Sequence, residues 1–339
     1  MRSGSIAAFT RRAFMAAVAT GALTLAAASF AQGQSGAQSG AQLGDKAVRV
    51  VLPNATGSGV DTITRTAQPA LAKALGKPVV IENQAGAGGI VGIQTLTRAA
   101  PDGMTLSVVS NNVVIFPSVY KTLPFELPAD ITPIAIVGFT PIVLVVNAKV
   151  PAKDSKELIA LLKSQPGKVN YGSSGNGTIL HLAAEIFLDE AGVKATHVPY
   201  KGVGPMITDL LGGQVDFVTA ALPSVQQHLA SGSLRAIGVG TAKRVPAAPD
   251  IPTFAEQGLP GYVVEAWFAV IGPKGMSAAE VKHVNEAVVA TFADPAVKEA
   301  MAKQGNVINV STSDYARDFF KSELAKYAAI VKKAGIEPQ

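Results

Sequence analysis

The sequence predicts an α/β protein built as two lobes with a cleft between them. Three observations carry this. Short β-branched runs alternate with helical periods before about residue 140, and a second alternating set occupies 148–262. Glycine-rich loops join strand to helix in both sets. After a strand at 267–271 only helical periods follow, at 278–292, 296–304 and 313–334, with no strand to found a third domain. The expected lobes are therefore 46–147 plus 263–339, and 148–262.

Taken in order, the chain first shows Arg11 and Arg12 ahead of an alanine-rich apolar run. Ser29-Phe30-Ala31 then places small residues where a signal peptidase reads. Residues 1–31 are expected to be an export signal, either twin-arginine-like, from Thr10-Arg-Arg-Ala-Phe-Met15, or Sec. Residues 32–45, rich in Gln, Gly, Ser and Ala, read as a flexible leader. A strand at 48–52 leads through Pro53-Asn-Ala-Thr-Gly-Ser-Gly59 into a helix at 60–75, which Gly76 stops. A strand at 78–82, the loop Asn83-Gln-Ala-Gly-Ala-Gly-Gly89 and a helix at 90–100 repeat the unit. A third strand follows at 105–110. Apolar runs at 134–137 and 142–147, separated by Gly138, suit two buried strands. The second set opens with a helix at 155–163, where Asp154 and Glu157 stand at capping-box spacing. Strands are expected at 169–171, 196–200, 215–220 and 235–240, with helices after 178, at 206–211 and at 223–231.

Of the 339 residues, 48% are apolar and 16% charged, which supplies a large core and argues against disorder. The formal charge of +5 falls to +2 when Arg2, Arg11 and Arg12 of the signal are subtracted. The basic balance thus gives no reason to expect nucleic acid. There is no cysteine, which excludes disulfides, thiolate metal sites, a cysteine nucleophile and a lipid-anchored cysteine. No apolar run long enough to span a bilayer follows the signal. A soluble, unanchored protein exported to the periplasm is expected.

The most informative stretch is Asn170-Tyr-Gly-Ser-Ser-Gly-Asn-Gly-Thr178, which runs into a helical pattern through Ile179, Leu182 and Ile186. Its glycines let a ligand approach the main chain closely. Thr178 stands where the helix begins, with unpaired N–H groups and a partial positive charge behind it. Such a place binds an anion. In open α/β sheets, ligands bind beyond the carboxyl ends of the strands. The three glycine loops lie there, two from one lobe and one from the other.

Rival chemistries fit less well. Gly86-Ala-Gly88-Gly-Ile-Val91 and Gly57-Ser-Gly59-Val-Asp-Thr62 lack the third glycine of a dinucleotide fingerprint, and no Walker lysine follows either. Ser174 has Gly172 two residues before it but Asn176 two after, which breaks the nucleophile-elbow pattern. A serine hydrolase using Ser174 with His181 as base is nonetheless the alternative function. His181, His197, His228 and His283 show no metal-binding spacing, so neither metal nor cofactor is expected. Asp61 and Arg65, one helical turn apart, fit either a surface ion pair or an acid facing the cleft. Asp216 lies in an apolar strand, where it either holds a turn or lines the cleft.

An ordered set of motifs extends this reading. It comprises Val79-Val-Ile-Glu-Asn83 with Gly86-Ala-Gly-Gly89, Ala99-Ala-Pro-Asp-Gly103, and Asn170 to Thr178 with His181. It continues through His197-Val-Pro-Tyr-Lys-Gly202, Asp209-Leu-Leu-Gly-Gly-Gln-Val-Asp216 and Asp250-Ile-Pro-Thr253. Across nearly all of 46–339 the chain resembles the Bug-type periplasmic solute-binding receptors of tripartite tricarboxylate transporters. The resemblance implies a type II periplasmic-binding-protein fold whose lobes close on a small organic anion, held through loop amides and ordered water. By position, the implied first-lobe contacts are Gly57, Ser58, Asp61, Ala87, Gly88, Ser110 and Asn111. The opposite lobe offers Ser173, Gly177, Thr178 and His181, with Tyr200 and Asp216 nearby. The implied function is a receptor, not an enzyme, that captures a mono-, di- or tricarboxylate, or an aromatic or amino acid. It would deliver that ligand to membrane permease subunits, or else serve a sensor kinase. A monomer is expected. The family's first loop usually reads aromatic-Pro-Pro-Gly-Gly, whereas this chain has Asn54-Ala-Thr-Gly-Ser58, a departure that bears on the family's ligand preference and not on its fold.

Overall fold

Two strand–loop–helix units open the fold. β1 (Val48–Leu52) runs parallel to β2 (Val79–Asn83) on one side and to β3 (Thr105–Ser110) on the other. α1 (Gly59–Leu75) joins β1 to β2, and α2 (Ile90–Thr97), entered through a 3₁₀ turn at Ala87–Gly89, joins β2 to β3. The Ser58 hydroxyl starts α1 by accepting from the Asp61 amide, and Gly76 ends it in a left-handed turn. The computed structural model describes residues 47–333 and 335–338, so the expected signal at 1–31 and leader at 32–45 lie outside the described residues.

After β3 comes α3 (Asn112–Val119), which the sequence pattern does not announce. Val113, Val114, Ile115 and Phe116 are all buried, so the helix has no polar face and no amphipathic period to betray it. β4 (Ile131–Asn147) is one long strand where two were expected on either side of Gly138. β10 (Val307–Ile308) lies against it there, and a Cβ on Gly138 would come within 2.2 Å of the Val307 carbonyl. Gly138 is thus a close-approach site and not a break.

β4 links two sheets. Through Pro141 it pairs antiparallel with β9 (Glu265–Pro273), which in turn pairs with β3. From Ile142 it pairs instead with β7 (Phe217–Ala221) and β8 (Leu234–Val239). The exchange falls inside 46–147, the segment expected to stay with the first lobe, so Ile142–Asn147 belongs to the second sheet by its pairing. In that sheet β5 (Asn170–Ser173) runs parallel to β6 (Thr196–Pro199) and to β7. α4 (Ser155–Ser164), α5 (Ile179–Ala191), α6 (Val203–Gly212) and α7 (Leu222–Ala230) follow the strands in turn. The strand order is β2-β1-β3-β9-β4-β7-β5-β6. Parallel units thus flank a central antiparallel pair, because β4 and β9 carry the chain out and back.

The C-terminal helices close the first sheet. α8 (Ala278–Ala293) packs on α1 and β4, α9 (Pro295–Lys303) touches α1, and α10 (Ser313–Lys333) packs on α3 and β4. Trp267 of β9 anchors α10. Its ring meets Phe319 and Phe320 edge-on at 5.5 and 5.3 Å, and its Nε1–H donates to the buried Glu323 carboxylate at 2.7 Å.

Behind the β5–α5 loop, four flat side chains stack in the second core. His181 and His197 lie 4.0 Å apart and 9° from parallel, and Tyr171 stacks on His197 at 4.8 Å and on Phe217 at 5.5 Å. Burial, and for His181 also the neighbouring His197, pulls the imidazoles down from 6.5, to about 3 for His181 and about 4 for His197. Both are neutral at pH 7.

Two expectations follow from this packing. Glu323→Ala leaves a buried indole N–H without its acceptor and is expected to lower the urea-unfolding free energy by about 1–3 kcal/mol. Because both histidines take up protons more readily unfolded than folded, stability rises with pH between the two sets of values. Acidification from about pH 6.5 toward 4 is therefore expected to lower the denaturation midpoint, and His197→Gln to flatten that slope. A slope that the substitution leaves unchanged would contradict a buried neutral imidazole.

Candidate functional site

Two chambers meet between the sheets. One is lined by the loops after β1 and β2, by Ser174 and Thr178, and by Lys201, Gly202 and Val203. The other is walled by apolar side chains, among them Ile63, Leu180, Ala266, Trp267 and Phe268. Asn54, Ser58, Asn112, Ser174 and Val203 line both and form the waist between them.

Helix beginnings surround this space. Ser58 caps α1, Gly89 precedes α2, Asn112 opens α3, Thr178 caps α5, Val203 opens α6 and Ser224 sits in the first turn of α7. All of them line one chamber or the other. A helix start exposes unpaired N–H groups and carries roughly half a positive charge. The amides of Gly59, Val60, Ala87, Gly88 and Leu180 donate to no acceptor among the described residues. Lys201 is the charged side chain among the lining residues. The electrostatics of the site thus come from oriented main chain more than from ionised groups.

Contacts across the waist hold the two halves together. Asn112 Oδ1 accepts from the Ile179 amide at 2.8 Å, tying the start of α3 to the start of α5. The Tyr120 hydroxyl lies 3.3 Å from the Ala87 carbonyl and 3.4 Å from that of Asn176, bridging two glycine loops. Two glycines are required by this approach. Gly177 has φ 68°, and a Cβ there would lie 2.4 Å from Val119 Cγ2. Gly88 has φ 69°, with Tyr120 Oη at 2.9 Å from where a Cβ would be.

Of the residues expected at the site, Ser58, Ala87, Gly88, Ser110 and Thr178 line the chambers. The others do not, and most have their polar atoms committed elsewhere. Gly57 is exposed, and its amide donates to Asp61 Oδ2 at 2.9 Å. Asp61 Oδ1 also accepts from Arg65 Nε at 2.8 Å and Asn83 Nδ2 at 2.9 Å, so the carboxylate holds the first loop instead of facing the cleft. Asn111 accepts from the Trp267 amide at 2.8 Å and donates to Tyr327 Oη at 2.5 Å, fixing β9 and α10. Ser173 is fully buried, with Oγ 2.6 Å from His197 Nε2. Gly177 donates its amide to His181 Nδ1 at 3.1 Å, and the His181 ring belongs to the buried stack. Tyr200 donates to Asp209 at 2.9 Å; burial, reinforced by that carboxylate, pushes its phenol up to about 12. Asp216 accepts from the Asn170 amide at 2.8 Å, the turn-holding role.

The hydrolase alternative needed Ser174 and His181 together. Ser174 Oγ instead donates to Thr178 Oγ1 at 3.1 Å, while His181 Nδ1 is occupied by Gly177. The serine that does meet a histidine, Ser173, is not among the lining residues. Among the described residues no nucleophile–base pair is assembled in the cleft, and Ser174 stands there as a hydroxyl bonded to Thr178. Sequence reasoning missed Asn54, Asn112, Trp267 and Phe268 as lining residues. Asn112 could not be found without α3. Asn54 carried a signal, since it stands in the one loop that departs from the family pattern.

The profile of the TctC family, the tripartite tricarboxylate transporter family receptor, matches residues 63–336. Protein BugT of Bordetella pertussis is 35% identical over 85% of this chain and 89% of its own length. The solved periplasmic binding protein BugD is 32% identical with a TM-score of 0.82, covering 86% of this chain and 98% of that one. Rhodopseudomonas palustris Rpa4515, solved with adipate, is 30% identical with a TM-score of 0.83 over the same shares, 86% and 98%. The fold is thus the two-lobed periplasmic-binding-protein architecture, and the chain belongs to the tripartite tricarboxylate transporter receptor family.

Proposed function

We propose that this chain is a periplasmic receptor that captures a small organic carboxylate between its lobes and delivers it to the permease subunits of a tripartite tricarboxylate-type transporter. The observation that carries the ligand class is the gathering of helix starts around one space. Each unpaired first-turn amide there favours an anion, and a charge-assisted hydrogen bond to a carboxylate is short and about twice as strong as a neutral one. Delivery to a permease rests on the family, and export on the signal expected at 1–31. Among the described residues no helix is long and apolar enough to cross a membrane, which fits a receptor that works beside its transporter.

The carboxylate is assigned to the waist. Ser58 supplies a hydroxyl there and Ser174 lines it, while the free amides of Gly59, Val60 and Leu180 border it from the apolar chamber and those of Ala87 and Gly88 from the other. Lys201, an exposed cation, lines the chamber on the side of the second glycine loop. Asn112 already places a neutral carbonyl oxygen on the first amide of α5, so the lobes are joined at the point where the ligand would add further bridges. Closure excludes water and strengthens each of these bonds.

A thermal-shift screen against mono- and dicarboxylic acids tests the reading. An acid at about 100 times its dissociation constant is expected to stabilise the chain by roughly 2.7 kcal/mol. Gly88→Ala forces a side chain into a left-handed conformation at a cost of about 1–2 kcal/mol, and is expected to lower the melting temperature of the free protein by a few degrees and to weaken the responding acid about tenfold when its affinity is measured on the folded protein. If no acid shifts the melting temperature, the receptor reading is wrong. If Gly88→Ala binds as the parent does, the second glycine loop is not part of the site.

A further inference from the structure

The apolar chamber differs from the waist. Ile63, Leu180, Val203, Ala266, Trp267 and Phe268 contribute to its wall, and no charged side chain is among its lining residues. It nevertheless contains polar atoms with nothing to bind. Thr140 Oγ1 and Ser224 Oγ are buried without a hydrogen-bond partner, and both residues line this chamber and not the other. A third such atom, Asn54 Oδ1, lies at the waist. Thr140 is only 5% exposed, so bulk water does not solvate its hydroxyl. Buried hydroxyls are ordinarily paired, and each exception needs an account.

Both residues are held by rigid elements. Thr140 pairs with Ala266 in the β4–β9 ladder, next to the point where β4 changes sheets, and Ser224 stands in the first turn of α7. Each comes from a different side of the cleft, as expected of groups that meet a guest and not one another. Burying a second ionised group here would strip it of water with no cationic side chain to offset the loss. The free amides of Gly59, Val60 and Leu180 that border this chamber are taken by the carboxylate at the waist, which leaves the far end with the partial charge of the first turn of α7 alone.

Resting on the carboxylate-receptor reading, we propose that the ligand is an amphipathic monocarboxylate. Its carboxylate sits at the waist, its apolar body fills the chamber walled by Trp267 and Phe268, and a neutral hydroxyl or carbonyl at the far end pairs with Thr140 and Ser224. These two residues select the far end of the ligand, while the amides of the waist select its charge.

Calorimetric titration of the purified chain tests this with two matched pairs, hexanoate against 6-hydroxyhexanoate and benzoate against 4-hydroxybenzoate, and with adipate as the doubly charged competitor. In at least one pair the hydroxyl is expected to raise affinity about tenfold or more, the scale of one satisfied buried hydrogen bond. Adipate is expected to bind more weakly than the better hydroxy acid. In Thr140→Val and in Ser224→Ala, the ratio of hydroxy acid to parent acid should fall toward one. Binding of the parent acids with no gain from the hydroxyl in either pair overturns the proposal and leaves the receptor reading standing. So does adipate binding tightest, or a hydroxyl gain that survives both substitutions. Failure of every acid to bind overturns the receptor reading itself. If either variant fails to fold, the comparison of matched acids on the unaltered chain still decides the question.

Discussion

Unpaired amides at the starts of helices are the constraint on which the rest of this structure depends. Every parallel strand–loop–helix unit ends its strand and begins its helix at the same edge of the sheet. Two sheets joined through β4 and β9 turn those edges toward each other, so α1, α2, α3, α5, α6 and α7 begin around one space. A helix start buried without partners is costly. The fold meets part of that cost internally, through the Ser58 and Thr178 caps and through Asn112 on the Ile179 amide. What remains open is the site.

The ionisable groups near the cleft serve this arrangement from behind. Asp61 is spent on Gly57, Arg65 and Asn83, which sets the first loop, and Asp216 holds the Asn170 amide at the root of the third. His181 takes the Gly177 amide and stacks on His197, fixing the turn that leads to Thr178. Asn111 positions Trp267, and Trp267 in turn fastens α10 through Glu323. A lining of oriented main-chain dipoles, with Lys201 as its charged side chain, costs little to reorganise when an anion arrives.

Much of the fold was legible in the sequence because its signals are local. Gly76, Gly192 and Gly213 end helices in left-handed turns, and Ser58, Asp154 and Thr178 begin them, all within a few residues of the periodicity they punctuate. α3 was not legible, since a helix whose first five residues are all buried shows no amphipathic period. Nor was the continuity of β4, because Gly138 looks like a break until β10 is seen lying on it. The site was read at the level of loops but not of atoms. Ser173 and Ser174 are neighbours in sequence, yet one is buried against His197 and the other lines the cleft. The alternation of side chains at the end of β5 decides between them, and a one-residue uncertainty in where that strand ends reverses the choice. Aspartates and histidines drew notice as chemistry-bearing residues, but their partners lie far away in the chain, and only the tertiary structure shows those partners.

The central claim is that oriented amides select negative charge. Its most direct measurement is the affinity of one acid that binds, compared with its own carboxamide, by calorimetry at pH 7. The two differ in charge and hardly at all in shape. The account predicts that the acid binds and the amide is weaker by about a hundredfold or more, the size of two charge-assisted hydrogen bonds lost. Equal affinity for acid and amide would contradict it.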